Sequence, residues 1–372
     1  MTTAPQIVVY ASLPLTVSFD ANLDLSPTNW HWLNELPGHL LERPYKWIRY
    51  AIGVVIGAEG VLSTSCDSLD VVDYDIGLPV ESAVLYYHIS NEERGRMLPV
   101  DPHIVCTSRT SSVLTARRRS FLDKVAEWDG GRCLLTGWAG KFCDAVHLLP
   151  HHKGNMYIST YTQCCSHARD DITEDINDIQ NGVFLNKVAH VMLGNDLGLL
   201  MTPNFAMSTT DIDPTAPPAQ KQCISHLFEP APPGTITSGS TFQISDIHRF
   251  PPAIIFDAVY AGAVLHHFGT QTLKDMVIAN WEDTYSRAMT ATDPIESLRS
   301  RMQAQTLDEV HDESHCEPDI LDMFAFVPYC MVPPDELRAA MSELREGAEA
   351  EECRRVEEKV EEWVGRLDHA TE

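Results

Sequence analysis

Hydrophobic and polar positions give the first 105 or so residues a different character from the rest of the chain. Runs of β-branched and aromatic residues are interrupted there by Pro, Gly, Asn and Asp, which is the pattern of short strands joined by turns. The clearest runs lie at residues 7–10, 47–52 and 83–89. We therefore predict a β-rich domain over residues 1–108, although its pattern points to no particular chemistry.

A helix is predicted next, over residues 112–128. Apolar residues at helical spacing form one stripe, which includes Phe121 and Val125, and the sequence Asp129-Gly130-Gly131 ends the helix. Three consecutive arginines lie in the first half of this helix. A charge run is usually a solvated face, but these arginines lie beside the segment with the most distinctive chemistry. The candidate phosphate contacts are Arg117, Arg118 and Arg119.

Beyond about residue 207 the pattern changes again. Pro-rich stretches at 213–219 and 229–234 predict extended surface segments, and we assign residues 211–243 to a Pro-rich linker. From about residue 244 a mainly helical region is expected. Its last part, 334–368, combines apolar stripes with an excess of carboxylates. We interpret it as an acidic helix that packs with one face in solvent, with the docking of a protein partner as the alternative.

Composition limits the possible functions. The 372 residues include 53 Asp and Glu against 27 Lys and Arg, a formal net charge of -26. Such acidity argues against a nucleic-acid-binding surface over the whole molecule, so any contact with a polyanion needs a local basic patch. We expect no secretory signal and no membrane span, since the most apolar stretch near the start, 51–62, is too short. Ten cysteines without a signal favour reduced thiols and a cytoplasmic or nuclear protein.

Three sequence blocks in the centre of the chain have the residues of a catalytic site. The first is Cys133-Leu-Leu-Thr-Gly, predicted as a strand that enters a turn. The second runs from Cys143 to Pro150 and is predicted as a strand that ends at His147. The third begins with Asn181-Gly182, predicted as a turn, and continues through a helix to His190. Strand, strand and helix form the smallest frame that can combine a base on a strand with a metal ligand on a helix.

These blocks resemble the HNH endonuclease family. The resemblance is to the branch, common in fungal proteins, with Cys-x-x-Thr-Gly, then Ala-x-His-x-x-Pro, then Asn-Gly-x-x-Leu and a His nine positions after the Asn. Residues 200–205 also resemble the segment after the helix in that branch. The match covers about ninety residues, roughly a quarter of the chain. It implies a ββα-metal module and hydrolysis of phosphodiester bonds.

The resemblance also implies roles for individual residues. His147 would be the general base, and Asn181 would fix the loop and the orientation of the base. His190 would be a metal ligand, and Asp144 is nominated as a second ligand. The cofactor would be a divalent cation, Mg²⁺, Mn²⁺ or Zn²⁺. Two further histidines that follow Pro150 are the alternative ligands, His151 and His152.

One position departs from the commonest family pattern. Many HNH nucleases have an acidic metal ligand directly before the base, and this chain has Val146 there. Local charge nevertheless suits a polyanion: between Arg117 and Lys153, seven basic residues against four acidic ones give about +3. Lys153 therefore joins the three arginines as a candidate contact to nucleic acid, with DNA favoured.

Other residues offer weaker alternatives. Cys133 and Cys143 could bind a structural zinc ion, but core packing is favoured because no second pair accompanies them. His311 and His315 lie one helical turn apart without an evident third ligand, and His266-His267 is another histidine pair.

The sequence as a whole predicts an α+β protein. A central HNH module, residues 109–210, lies between the β-rich N-terminal region and the helical region 244–372. The leading hypothesis is a metal-dependent endonuclease. The alternative is a catalytically degenerate HNH fold in a binding or regulatory protein, whose acidic C-terminal helix docks a partner.

Overall fold

The structure is a computed structural model that describes residues 7–13, 21–25, 43–77, 81–104, 116–166, 171–242 and 250–292. Within the helices, the side chains of residues 116–119 and 289–292 are outside this description. The chain divides into two units, Met1–Glu309 and Val310–Glu372, and the second lies wholly outside the described residues. Two sequence hypotheses fall there, the acidic helix at 334–368 and the pair His311 and His315. The described part is a mixed α+β protein.

The described residues contain eight strands and seven α-helices. The strands are β1 (Ile7–Ala11), β2 (Ala21–Asp24), β3 (Gly60–Ser63), β4 (Ala83–Ile89), β5 (Cys143–His147), β6 (Gly182–Asn186), β7 (Leu197–Thr202) and β8 (Gln222–Leu227). The helices are α1 (Pro44–Ile56), α2 (Asn91–Arg96), α3 (Ala116–Trp128), α4 (Gly154–Cys165), α5 (Lys187–Met192), α6 (Ala253–Phe268) and α7 (Gln271–Thr292). The predicted strands at 7–10 and 83–89 and the predicted helix end at Trp128 are confirmed.

The N-terminal strands form one sheet with the order β2-β1-β4-β3. β1 pairs with β4 in parallel, whereas β2 and β3 add on antiparallel at the two edges. Parallel neighbours need a crossover, and α1 lies in the connection between them. β1 alternates buried and half-buried residues, as expected of a strand with one face on the core.

The strand predicted at 47–52 is wrong, because these residues lie in α1. Pro44 occupies the first turn, where its fixed φ suits a helix, and Gly57 ends the helix at φ 67, in the left-handed region. Eleven of the thirteen residues are buried. Lys46 and Arg49, three positions apart, mark one half-buried face, but the β-branched and aromatic residues of the remaining faces give α1 the composition of a strand.

The central segment contains two antiparallel strands followed by a helix, and we call the pair β5 and β6 the hairpin although α4 lies in the connection between them. β5 pairs antiparallel with β6, and α5 begins directly after β6 and packs on both strands. The predicted strand that ends at His147 is confirmed. The predicted strand at the Cys133 block is wrong: residues 134–136 form a turn, closed by a bridge between Arg132 and Ala139. The second strand of the hairpin is instead β6, where only a turn and a helix were expected.

The two Pro-rich stretches, 213–219 and 229–234, are mostly exposed, as predicted. Between them, however, the chain forms β8, a strand that the sequence pattern did not predict. β8 is buried and pairs antiparallel with β7 over six residues. β7 in turn packs on α6, the helix that also covers α1. Among the described helices, none is both long and apolar enough to cross a bilayer.

Candidate functional site

The hairpin and α5 place the motif residues through a fixed register. His147 pairs with Gly182 at the end of the strand pair where the connection between β5 and β6 begins, and Asp144 pairs with Leu185. α5 starts at a helix cap, because the Asn186 side chain accepts a hydrogen bond of 2.9 Å from the Ala189 amide. The helix therefore begins immediately after β6, and it packs against β5.

Asp144 and His190 meet between β5 and α5. The His190 Nδ1 lies 3.2 Å from the Asp144 Oδ2. Both side chains are partly exposed, at 25% for His190 and 39% for Asp144, so a solvated ion could reach them. A carboxylate and an imidazole at this separation can pair with each other or hold one cation between them.

His147 lies in a different environment. Its ring stacks on Phe121 of α3, with the ring centroids 3.8 Å apart and the planes at 12°. Its Nε2 lies 3.3 Å from the Asn177 Oδ1. Successive strand residues point to opposite faces, so Asp144 and Val146 belong to one face of β5 and His147 to the other.

Asn181 is completely buried and joins the loop after β5 to the loop before β6. Its side-chain oxygen accepts from the Leu149 amide at 2.8 Å, and its Nδ2 donates to the carbonyls of Leu149 at 3.0 Å and Ile176 at 2.9 Å. The backbone amide of Leu148 donates to the Asn181 carbonyl at 2.9 Å. All these bonds hold the loop that directly follows His147.

The helix α3 is anchored on the hairpin by Asp129 at its end. The Asp129 carboxylate accepts a hydrogen bond of 2.7 Å from the Phe184 amide. Burial raises the pKa of Asp129 from 3.8 to about 7, against the opposing effect of that hydrogen bond. Gly182 allows the close approach of the helix, since a Cβ there would lie 2.6 Å from the Val125 Cγ2 and 2.9 Å from the Phe121 Cζ.

The candidate nucleic-acid contacts occupy two places. The side chains of Arg117, Arg118 and Arg119 lie outside the described residues, although their backbone forms the first turn of α3. The Lys153 Nζ lies 2.9 Å from Oδ2 of the buried Asp101 and 5.5 Å from the centre of the Tyr157 ring. The charge of Lys153 is therefore compensated within the protein.

The remaining candidate ligands separate as well. His151 is exposed and lies edge-on to His147, with the ring centroids 5.3 Å apart, and His152 is exposed beside it. Neither they nor Asp144, His147 and His190 form a group of three ligand atoms within 4.8 Å of one another. Over the described residues, one such group occurs, formed by Asp196, His266 and His267.

Cys133 and Cys143 are buried free thiols. The Cys133 Sγ accepts a hydrogen bond of 3.2 Å from the Asn186 amide, and the Cys143 Sγ lies 3.5 Å from the Trp138 carbonyl. Within the described part of the chain they belong to no group of metal ligands. Their contacts are those of core residues that support the turn before β5.

Several residues at the site were missed by sequence reasoning. Asn177 holds the His147 ring and Asp196 meets the His266-His267 pair, and both are distant in sequence from the histidines they contact. Asn177 follows Asp175 in a tight turn, a weak signal that polar residues there are ordered. Phe121 belongs to the apolar stripe predicted for α3, but its stacking on His147 depends on how that helix packs.

Comparisons with the models of known protein families, with curated proteins and with solved structures found no match to this chain. The structure therefore defines only the fold class, which is mixed α+β with three small sheets among the described residues.

Proposed function

We propose that the region around β5, β6 and α5 is an HNH-type nuclease module that hydrolyses phosphodiester bonds in nucleic acid with a divalent cation. The observation that supports this most strongly is the meeting of Asp144 and His190 at 3.2 Å across a hairpin that is followed directly by a helix. The two residues are 46 positions apart in the sequence. The sequence motif nominates each as a metal ligand independently of the distance between them in the folded chain.

The donors at this place fit a divalent cation. Bonds from zinc to imidazole nitrogen and to carboxylate oxygen are about 2.0–2.2 Å, so two donor atoms 3.2 Å apart can share one ion. Mg²⁺ and Mn²⁺ would use the Asp144 carboxylate and complete their shells with water and phosphate oxygens. A cation held by Asp144 and His190 would supply neutralisation of the negative charge on the phosphate and on the leaving oxygen.

His147 is proposed as the general base. In the neutral ring, one nitrogen bears the proton and the other accepts one. Because the Asn177 Oδ1 can only accept a hydrogen bond, Nε2 bears the proton, and the basic lone pair is on Nδ1. Stacking on Phe121 fixes the plane of the ring, and the Asn181 hydrogen bonds fix the loop behind it. The base is thus held in one tautomer and one orientation.

Specific observations also favour the second candidate, a degenerate HNH fold in a binding or regulatory protein. Val146, at the position of the common acidic ligand, is 1% exposed and belongs to the core. His147 lies outside any three-ligand group with Asp144 and His190. Under this proposal the Asp144 and His190 pair is a structural contact between β5 and α5.

Plasmid cleavage separates the two candidates. We expect the protein to nick supercoiled DNA in the presence of Mg²⁺, Mn²⁺ or Zn²⁺, and His147→Ala to reduce the rate by about 10²–10⁴-fold, the usual contribution of a general base. His190→Ala should shift the dependence on the cation to higher concentrations, because one ligand is lost. His88→Ala, on β4 and outside the module, is the matched control and should cut like the wild type.

Absence of cation-dependent cutting by the wild type, under conditions where an active HNH enzyme cuts the same plasmid, would contradict the nuclease proposal. Cutting that survives in both His147→Ala and His190→Ala would contradict the assignment of the site. If the wild type does not cut, the degenerate HNH fold explains the observations better than the nuclease proposal.

A further inference from the structure

We infer that Asp196, His266 and His267 form a second metal site, one that binds a zinc-like transition ion and joins the end of α6 to the turn before β7. Each side chain offers one donor atom, and the three atoms lie within 4.8 Å of one another. The His267 Nε2 and the Asp196 Oδ1 are 3.2 Å apart. This inference is independent of the proposed nuclease function.

The donor set determines the class of ion. Two imidazoles and one carboxylate are the ligands of zinc and related first-row ions, whereas Mg²⁺ and Ca²⁺ prefer shells made of oxygen. Two donors on one ion with bonds of about 2.0–2.2 Å are at most about 4.4 Å apart. Small side-chain rotations therefore bring the three atoms into ligand positions.

The backbone holds Asp196 in place. Asp196 donates from its amide to the Met192 carbonyl at 2.9 Å, and its own carbonyl accepts from the Phe228 amide at 2.7 Å. Gly194, two residues earlier, has φ 81 and allows the tight turn between α5 and β7. The carboxylate is therefore presented by a rigid turn.

The histidines are also oriented by their surroundings. The ring of His267 stacks on Phe228, with the centroids 5.3 Å apart and the planes at 9°. The His266 ring is perpendicular to that of His267, at 4.9 Å between centroids. Lys274 donates to the His266 carbonyl at 2.9 Å, which fixes the last turn of α6. Contacts of this kind orient the ligands in natural metal sites.

The site would act as a crosslink. It joins residues about seventy positions apart in sequence, the separation of Asp196 from His267. A ligand that binds only the folded chain raises its stability in proportion to the logarithm of its concentration. Zinc is therefore expected to raise the melting temperature of this protein.

The test uses the full chain with Asp144→Asn and His190→Ala, so that the proposed nuclease site does not contribute. After removal of metals with a chelator, Zn²⁺ binding is measured by competition with a chromophoric chelator, and melting is followed with and without Zn²⁺. We expect one equivalent of Zn²⁺ and a higher melting temperature, with no comparable effect of Mg²⁺. Co²⁺ should give the visible absorption of a tetrahedral site.

Adding His266→Ala is the decisive variant, because His266 is exposed and its loss leaves the core intact. Zinc affinity should fall by at least about tenfold, because mutation of a residue that only supports a metal ligand can already cause a loss of that size. His103→Ala, another exposed histidine outside the cluster, is the matched control and should bind like its parent.

Equal zinc affinity in the parent and in His266→Ala would overturn the inference and leave the cluster as an ion pair at a helix end. The same conclusion follows if the parent binds no zinc. If zinc binds here but no nuclease activity is found, this site stands and only the proposed function fails.

Discussion

Individual residues at the hairpin show how burial changes the meaning of a motif. Asn181 and Gly182 appear in the sequence as a turn dipeptide, yet Gly182 has φ -128 and needs no left-handed freedom. Its small size matters because Phe121 and Val125 fill the space where a side chain would be. Asn181 likewise serves as a buried junction of three side-chain hydrogen bonds rather than as an exposed turn residue.

Asp129 makes stability depend on pH. Its pKa is raised to about 7 by burial, so between pH 3.8 and 7 the folded chain binds more protons at this site than the unfolded chain. The contribution to stability is therefore fully present at low pH and is lost as the pH rises toward 7. We expect Asp129→Asn, which keeps an oxygen for the Phe184 amide, to lose this dependence.

At pH 8 the shift corresponds to about 4 kcal/mol before screening. Solvent reaches the half-buried carboxyl, so we expect Asp129→Asn to be about 1–2 kcal/mol more stable than the wild type. Urea unfolding from pH 4 to pH 8 measures the difference. Asp123→Asn, an exposed carboxyl on the same helix, is the control. Parallel curves for the wild type and Asp129→Asn would show that burial of Asp129 has no such effect.

Single elements in this protein depend on the neighbours that cover them. α1 has a β-like composition and is a helix because Pro44 begins it, Gly57 ends it, and the sheet and α6 bury it between them. α5 has only six residues and is too short to be stable alone, so its cap at Asn186 and its packing on β5 and β6 hold it. α3 also depends on a neighbour, because Phe121 and Val125 pack closely on Gly182 and this contact places α3 against the site.

The contact between α3 and the hairpin can be tested by one methyl group. Gly182→Ala would place its Cβ 2.6 Å from the Val125 Cγ2, and overpacking of this kind costs about 1–3 kcal/mol. The displacement should also move Phe121 away from the His147 ring. Denaturant unfolding measures the first effect and the NMR shifts of the histidine ring measure the second.

Gly95→Ala is the matched control, since a Cβ there meets nothing within 4 Å and the residue lies in α2. A change from glycine to alanine in a helix should be neutral or stabilising by up to about 1 kcal/mol. If Gly182→Ala is as stable as Gly95→Ala, the packing described for α3 is incorrect.

At the scale of the whole molecule, the N-terminal region shares its core with later parts of the chain. Trp47 donates from Nε1 to the Tyr260 hydroxyl at 2.6 Å, and Lys46 lies 2.8 Å from the buried Asp211 carboxylate. Thr270 donates to the carbonyl of Asn22 in β2. All these residues belong to the unit Met1–Glu309. The contacts indicate that the described parts of the chain up to residue 292 fold together.

We therefore expect residues 1–108 to be unfolded when they are expressed alone. Without α6, α1 would expose the aromatic and aliphatic surface that α6 covers. The sheet and α1 alone would then lack much of their core. Circular dichroism should show no cooperative melting of this fragment. A chain that ends at residue 292, and so keeps α6 and α7, should melt cooperatively. Cooperative melting of the short fragment would establish an autonomous N-terminal domain.

The sequence by itself determined the elements that are encoded locally. β1, β4, β5 and the end of α3 follow from runs of apolar residues and from the breakers beside them, and the motif blocks brought Asp144, Asn181 and His190 to attention. Its weakest predictions concerned buried elements, because burial on every side removes the alternation that distinguishes a helix from a strand. β8 is the example, whereas in α1 the β-branched and aromatic composition suggested a strand.

Tertiary structure alone decided which side chains meet. The pairing of β5 with β6 brings Asp144 to His190. Because successive residues of β5 point to opposite faces, His147 lies instead against Phe121 and Asn177. Asp196 reaches His267 only because β7 packs on α6. Such contacts join residues tens of positions apart, and their formation depends on the burial of the elements between them, which no local pattern records.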